Sequence, residues 1–163
     1  MIGLLAIALA SSATADTPGT ACGMPAATYS GQVYDTLAHR AADAVERAGQ
    51  AGWKSDPALA GLVAPDATFG LGSGDVGIPL ANGVAGVRAM AVAMQSNRYR
   101  FRALGGIPAP AQPCARQEVT VEFVNTVTHS SSTVTFTFMN GRIVRGAGWQ
   151  GAFSAGPLKP VQP

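Results

Sequence analysis

Across residues 119–153 apolar and polar side chains alternate with a period of two, the signature of half-buried strands. Asn140-Gly141 stands between two such runs, 133–139 and 142–149. A type I′ hairpin turn needs φ > 0 at both central residues, and Asn-Gly supplies them, so the pattern predicts a hairpin. With Ser130-Ser131 as the preceding turn, a three-stranded antiparallel meander follows. In that register Phe138 faces Ile143, Phe136 faces Arg145, Val134 faces Ala147 and Ser132 faces Trp149. On the other side His129 faces Ser132, Val127 faces Val134, Asn125 faces Phe136 and Phe123 faces Phe138. Residues opposite one another share a face. One face is then largely aromatic and aliphatic, with Asn125, Phe136 and Arg145 in one row and Trp149 at the far end. The other carries Thr126, Thr128, Thr133, Thr135 and Thr137.

Upstream, the period changes. Val33, Leu37, Ala41, Ala44, Val45 and Ala48 recur at three- and four-residue spacing and predict a helix over 31–48, capped by Ser30. Its polar face pairs Asp35 with His39 and Asp43 with Arg47 at i,i+4. Asp56-Pro57 opens a second, short helix, with aspartate as cap and proline at the first turn. Ala67 to Phe69 reads as a short strand, and the glycine-rich residues 70–77 as a loop too irregular for a phosphate-binding motif. A third helix is expected over 84–95. Residues 98–102 then alternate, with Arg98, Arg100 and Arg102 on one side and Tyr99 and Phe101 on the other. The arginines suit a solvated edge strand or an anion contact.

Composition narrows the setting. The chain has 163 residues, 47% hydrophobic and only 12% charged, with a formal net charge of +2. That is one domain of ordinary size, with no electrostatic case for nucleic acid or an acidic membrane. Residues 1–15 read as a secretory signal peptide, with an apolar run over 2–10 and a small-x-small site at Ala13-Thr14-Ala15. The run is too short to span a bilayer. The expected organisation is a leader (1–15), a flexible tether (16–29), one domain (30–155) and a C-terminal tail (156–163), exported to the periplasm or beyond the cell. Cys22 and Cys114 are the only cysteines, and in an exported chain such a pair is expected to be a disulfide.

Leu62-Val63-Ala64-Pro65-Asp66-Ala67-Thr68-Phe69, the helix around 83–94 and Phe136-Thr137-Phe138-Met139-Asn140-Gly141-Arg142-Ile143-Val144 resemble the nuclear transport factor two-like superfamily, which includes ketosteroid isomerases and polyketide cyclases (SnoaL-like proteins). The resemblance implies an α+β fold in which a cone-shaped, curved antiparallel sheet wraps about three helices, and homodimers that pair through the outer sheet. It does not carry the isomerase machinery. Aligned on Asp66-Ala67-Thr68, Gly70 and Leu71 stand where the family has its acidic base. Tyr34 lies at the start of the first helix, where the family's donor tyrosine comes late.

The functional expectation is therefore an exported small-ligand-binding or accessory domain without cofactor. Its pocket is lined by Asn125, Phe136, Arg145, Trp149, Tyr99 and Phe101, and suits a small apolar or carboxylate-bearing ligand. Two alternatives stand beside it for Arg145: a bulge at Gly146 or Gly148 turns it outward, or it pairs with Asp66, Asp75 or Glu118. The enzyme alternative is an isomerase, dehydratase or cyclase using His129 or Asp75, with Arg145 as electrostatic stabiliser. A third reading is a dimeric interaction module. No His, Cys or carboxylate spacing suggests a metal site.

Overall fold

In a computed structural model, which describes residues 21–73, 76–105 and 111–152, the elements are helices α1 (Ser30–Gly49), α2 (Pro57–Leu62) and α3 (Gly83–Met94) and strands β1 (Val63–Ser73), β2 (Val76–Pro79), β3 (Arg98–Arg100), β4 (Gln117–Asn125), β5 (Ser130–Met139) and β6 (Arg142–Ala152). The six strands form one sheet in the order β2-β1-β6-β5-β4-β3. β1 runs parallel to β6, and every other neighbour is antiparallel, so the sheet is mixed rather than wholly antiparallel. α1 packs on β4 and α3, and α3 packs on β1.

Local signals explain most of the elements. The whole expected apolar stripe of α1 is buried, and its alanines let the helix approach the sheet closely. Its N-terminus is capped differently from expectation. Gln32 Oε1 reaches back to accept from the Thr28 and Tyr29 backbone N–H groups, at 2.8 and 3.2 Å, and Ser30 is inside the helix. Asp56 caps α2 as expected, its Oδ1 accepting from the N–H groups of Ala58 and Leu59. Burial works against its ionisation, but the bonds from Leu59, Arg47 and Ala58 hold its carboxyl below the usual range.

Two expectations fail for reasons of distance along the chain. Within the 70–77 segment, residues 70–73 and 76–77 are strand rather than loop. β1 runs on through Gly70 and Gly72 to Ser73 and pairs with β2 as a hairpin. Strand glycines commonly mark a close approach, and the approaching group here is an indole ring: a methyl group at Gly72 would overlap Trp149. The second turn is not Ser130-Ser131 either. β4 ends at Asn125, which pairs with Ser130, and residues 126–129 form the connection. Val119 thus faces Phe136, and Phe123 faces Ser132, six positions from the expected partners. An even shift preserves which residues share a face.

The third strand does change face. The Asn140-Gly141 turn is as expected, with φ of 50° and 71°, and Phe138 faces Ile143. Between that pair and the next, Thr137 with Arg145, Val144 is an extra residue. This β-bulge inverts everything beyond it. Gly146 and Gly148 turn to the core, while Arg145, Ala147 and Trp149 turn outward with Thr137, Thr135 and Thr133. The core space explains the choice. A Cβ at Gly146 would sit 2.8 Å from the Phe69 ring and 3.2 Å from Phe136, so no guanidinium or indole fits there.

Residues 22–24 are tied to the domain. Cys22 and Cys114 are disulfide-bonded with Cα atoms 5.8 Å apart, and Met24 is buried. Arg40 donates to the carbonyls of Gly141 and Gly23, tying α1 to the hairpin turn and to this segment.

Three outcomes follow. Protein matured in an oxidising compartment has no titratable thiol when denatured, and Cys22→Ser with Cys114→Ser lowers unfolding free energy by about 2–5 kcal/mol; two free thiols would contradict the bridge. Gly146→Ala destabilises by about 1–3 kcal/mol through overpacking, whereas Gly151→Ala, with open space around it, stays within about 0.5 kcal/mol of wild type in urea titrations. Asp56→Ala lowers the thermal midpoint at neutral pH. Because the folded carboxyl titrates below its unfolded value, its contribution is complete above the unfolded pKa and is lost as pH falls through the folded one, so the difference between variant and wild type narrows in acid.

Candidate functional site

The sequence-predicted pocket residues are distributed over four places. Phe136 is fully buried and meets Phe123 edge-on at 6.2 Å between centroids, so it belongs to the core. Asn125 is buried at the end of β4, where its amide shapes a turn. Nδ2 donates to the Gln95 carbonyl at 2.8 Å, and Oδ1 accepts from the Val127 and Thr128 N–H groups at 2.9 and 3.0 Å. Such asparagine-capped turns have a sequence signal, an Asx residue two and three positions before the groups it binds. That signal points to the 126–129 connection and away from a ligand. With Thr126 and Thr128 in this connection, neither stands on the sheet's outer face.

Arg145 and Trp149 do come together, but on the side of the sheet away from the helices. Phe101 is half-buried and edge-on to His39, 4.9 Å between ring centroids. Tyr99 shares the inner face with Phe123 and its hydroxyl lies 3.3 Å from His39 Nδ1. The expected Asp35–His39 pairing is replaced: Asp35 Oδ1 accepts from the Leu104 N–H at 2.7 Å and holds the chain that follows β3 against α1.

Tyr99 marks a cleft of about 650 Å³ between the C-terminal halves of α1 and α3 and the start of β3. Ala42, Val45, Ala91 and Phe123 give it an apolar floor, and Glu46, Gln50, Ser96, Asn97 and Tyr99 give it a polar rim. The floor exists because α1 and α3 present small residues where they meet. The rim is held in place: Asn97 Nδ2 donates to Thr126 Oγ1 at 2.7 Å, and the Thr126 N–H donates to Asn97 Oδ1. Arg88 from α3 closes the end of α1 by donating to the carbonyls of Ala48 and Gly49. Register sends the Arg98 side chain to the opposite face, with Val124. Sequence periodicity alone did not find this cleft, because its parts come from α1, α3, β3 and β4, which are distant along the chain.

On the outer face Arg100 pairs with Glu122, Nε to Oε2 at 2.6 Å, and this partner holds the Glu122 carboxyl below its usual range. The arginine row of β3 is thus in part an ion-paired edge. The His129 form of the enzyme alternative loses its geometry. His129 is exposed in the β4–β5 connection with φ of 51°, beside Ser130, which pairs with Ala152. Arg145 is seven residues back along β6, roughly 23 Å away at strand rise. The two cannot act on one small molecule. Asp75 lies outside the described residues. Among the described residues, no group of three or more His, Cys, Asp or Glu side chains converges to hold a metal, and no helix is long and apolar enough to cross a membrane.

No protein-family model and no curated protein matches the chain. Solved structures do resemble it, at low identity. An isomerase candidate from Rhodopseudomonas palustris is 16% identical with a TM-score of 0.44, over 72% of this chain and 90% of its own. An NTF-2 like protein of unknown function from Burkholderia xenovorans is 14% identical with a TM-score of 0.41, over 77% and 91%. A phenazine biosynthesis-related protein from Pseudomonas aeruginosa is 12% identical with a TM-score of 0.33, over 81% and 98%. The activities in those names belong to those proteins. What the described residues form is an α+β fold, three helices with one six-stranded mixed sheet in which only the β1–β6 pair is parallel.

Proposed function

We propose that the chain is an exported small-ligand-binding or accessory domain, and that the cleft between α1, α3 and β3 is its binding site. One observation supports this reading above the others: an apolar floor formed by Ala42, Val45, Ala91 and Phe123 beneath a polar rim in which Asn97 and Tyr99 are hydrogen-bonded. That is the usual division of labour in a small-molecule site, where burial supplies affinity and a few polar groups orient the ligand. The acid in the cleft, Glu46, stands on its exposed rim, whereas acid–base catalysis calls for a titratable group within hydrogen-bonding reach of an enclosed substrate. The disulfide and the apolar N-terminal run support export.

Native mass spectrometry of protein purified from its own host tests the reading directly, since a bound molecule would be carried into the gas phase. In solution, 8-anilinonaphthalene-1-sulfonate serves as a probe. Wild type enhances its fluorescence, and Ala91→Phe, which fills the floor, weakens binding at least tenfold with little change in melting temperature. Equal binding by both proteins would remove the cleft as the site. Turnover of a ketone or unsaturated substrate that survives Glu46→Gln would also contradict a pure binder.

A homodimer through the threonine face is the competing reading for that surface. One observation favours it: Glu118 and Arg145 flank Thr137 in a single row, so a two-fold axis through Thr137 would set each arginine against the other copy's glutamate. Sedimentation at micromolar concentration decides it. A dimer that Thr135→Lys dissociates supports this reading, and a wild-type monomer at high concentration removes it.

A further inference from the structure

The outer face of the sheet is ordered into three cross-strand rows. The first contains Gly72, Trp149, Thr133, Glu122 and Arg100; the second Gly70, Ala147, Thr135 and Thr120; the third Thr68, Arg145, Thr137 and Glu118. The middle row holds only small side chains. It therefore forms the floor of a trough, with Trp149 on one side and Arg145 on the other. The β1–β2 hairpin, through Gly77, Ile78 and Pro79, closes one end, and the recess measures about 790 Å³.

Trp149 is unusual for a surface residue. Its ring lies against Gly72 so closely that a Cβ there would overlap the six-membered ring, yet the residue is 51% exposed. The sheet thus supports the indole from beneath, and the absence of a side chain at Gly72 lets it lie down. Rigid aromatic surface with one side wet is recognition chemistry, because stacking on it requires little ordering. Four residues away along β6, about 13 Å at strand rise, Arg145 is exposed and has no hydrogen-bond or ion-pair partner among the described residues. The nearby acids are engaged: Glu122 with Arg100, and Glu118 with Arg116 and Thr137. A guanidinium prefers a carboxylate in bidentate contact. The threonine hydroxyls between the two walls, with Thr120 and Thr135 bonded to each other at 3.0 Å, would leave a purely aliphatic ligand with unpaired polar groups beneath it.

We propose that this trough is a second binding site, distinct from the inner cleft, for a ring-bearing carboxylate: the ring stacks on Trp149 and the carboxylate pairs with Arg145. Both a sugar acid and an aromatic acid present that chemistry. The site uses no residue of the inner cleft, so the two proposals stand or fall separately.

Isothermal titration with a galacturonate trisaccharide, with 2-naphthoate, and with the neutral analogues maltotriose and 2-naphthylmethanol tests it. One of the two acids binds and its neutral analogue binds at least tenfold more weakly; which acid does so identifies the source. Arg145→Met and Trp149→Ala each weaken that binding tenfold or more, Trp149→Phe retains most of it, and Ala91→Phe leaves it unchanged. Ala147→Trp, which fills the floor without entering the core, abolishes it. Melting curves of each variant confirm folding. The proposal is overturned if neither acid binds at millimolar concentration, if the neutral analogues bind as well, or if the Arg145 and Trp149 variants bind like wild type. It is also overturned if wild type sediments as a dimer that Trp149→Ala or Ala147→Trp dissociates, since the trough would then belong to a second copy of the chain.

Discussion

The arrangement of this protein depends on β6 having no side chains where it passes beneath Phe69 and Phe136. Those two rings, from β1 and β5, occupy the inner space on either side of the strand. Only a glycine fits there, Gly146, and at Gly148 a Cβ would instead meet the Thr133 carbonyl and Val134. An unbroken ladder from the Asn140-Gly141 turn would instead bring Arg145, Ala147 and Trp149 inward, burying a cation without a partner among packed aromatics. One extra residue at Val144 resolves the conflict. From that bulge follow the closed core, the placement of the arginine and indole on the outer face, and the trough between them. It also leaves the inner cleft to be formed by the helices, β3 and Phe123 of β4 rather than by β6.

How much of this can be read from residues depends on whether the cause is local. The α1 stripe, the Asp56-Pro57 start and the Asn140-Gly141 turn are each specified within a few residues, and each is where the pattern puts it. The bulge is not local. Its cause is the volume of Phe69, more than seventy positions away; Gly146 and Gly148 left a bulge open as an alternative, but nothing nearby decides for it or places it at Val144. A single extra residue reverses face assignments, so Arg145 was lost as a pocket residue while the pairing of Phe138 with Ile143, two positions before it, was correct. Gly70 and Gly72 were read as loop for a related reason: glycine in a strand is understandable only when the group lying over it is known. The 126–129 connection was legible in principle, since Asn125 carries the turn chemistry, but serine pairs and asparagine compete as signals and only the sheet decides between them.

The sheet separates two kinds of surface. On its helical side, recognition can rely on burial, because the cleft floor is apolar and its rim is held by the Asn97–Thr126 bonds. On its outer side, recognition must rely on presented groups, a supported ring and a solvated cation, because every floor residue there is small or hydroxylated. A ligand that suits one would be poorly matched to the other. A fold by itself does not set function; what characterises this chain is how its residues are divided between the two faces.

The disulfide has a consequence for the order of events at synthesis. Cys22 leads and its partner follows 92 residues later, after all three helices and the first half of the sheet have emerged. Until then the first thiol has no intramolecular mate, and once Cys114 arrives there is only one pairing available. Such a chain has no scrambled isomers to correct. Its hazard is instead an encounter between two unfinished copies, so the local concentration of reduced chains, rather than shuffling chemistry, limits the yield of correctly bridged protein.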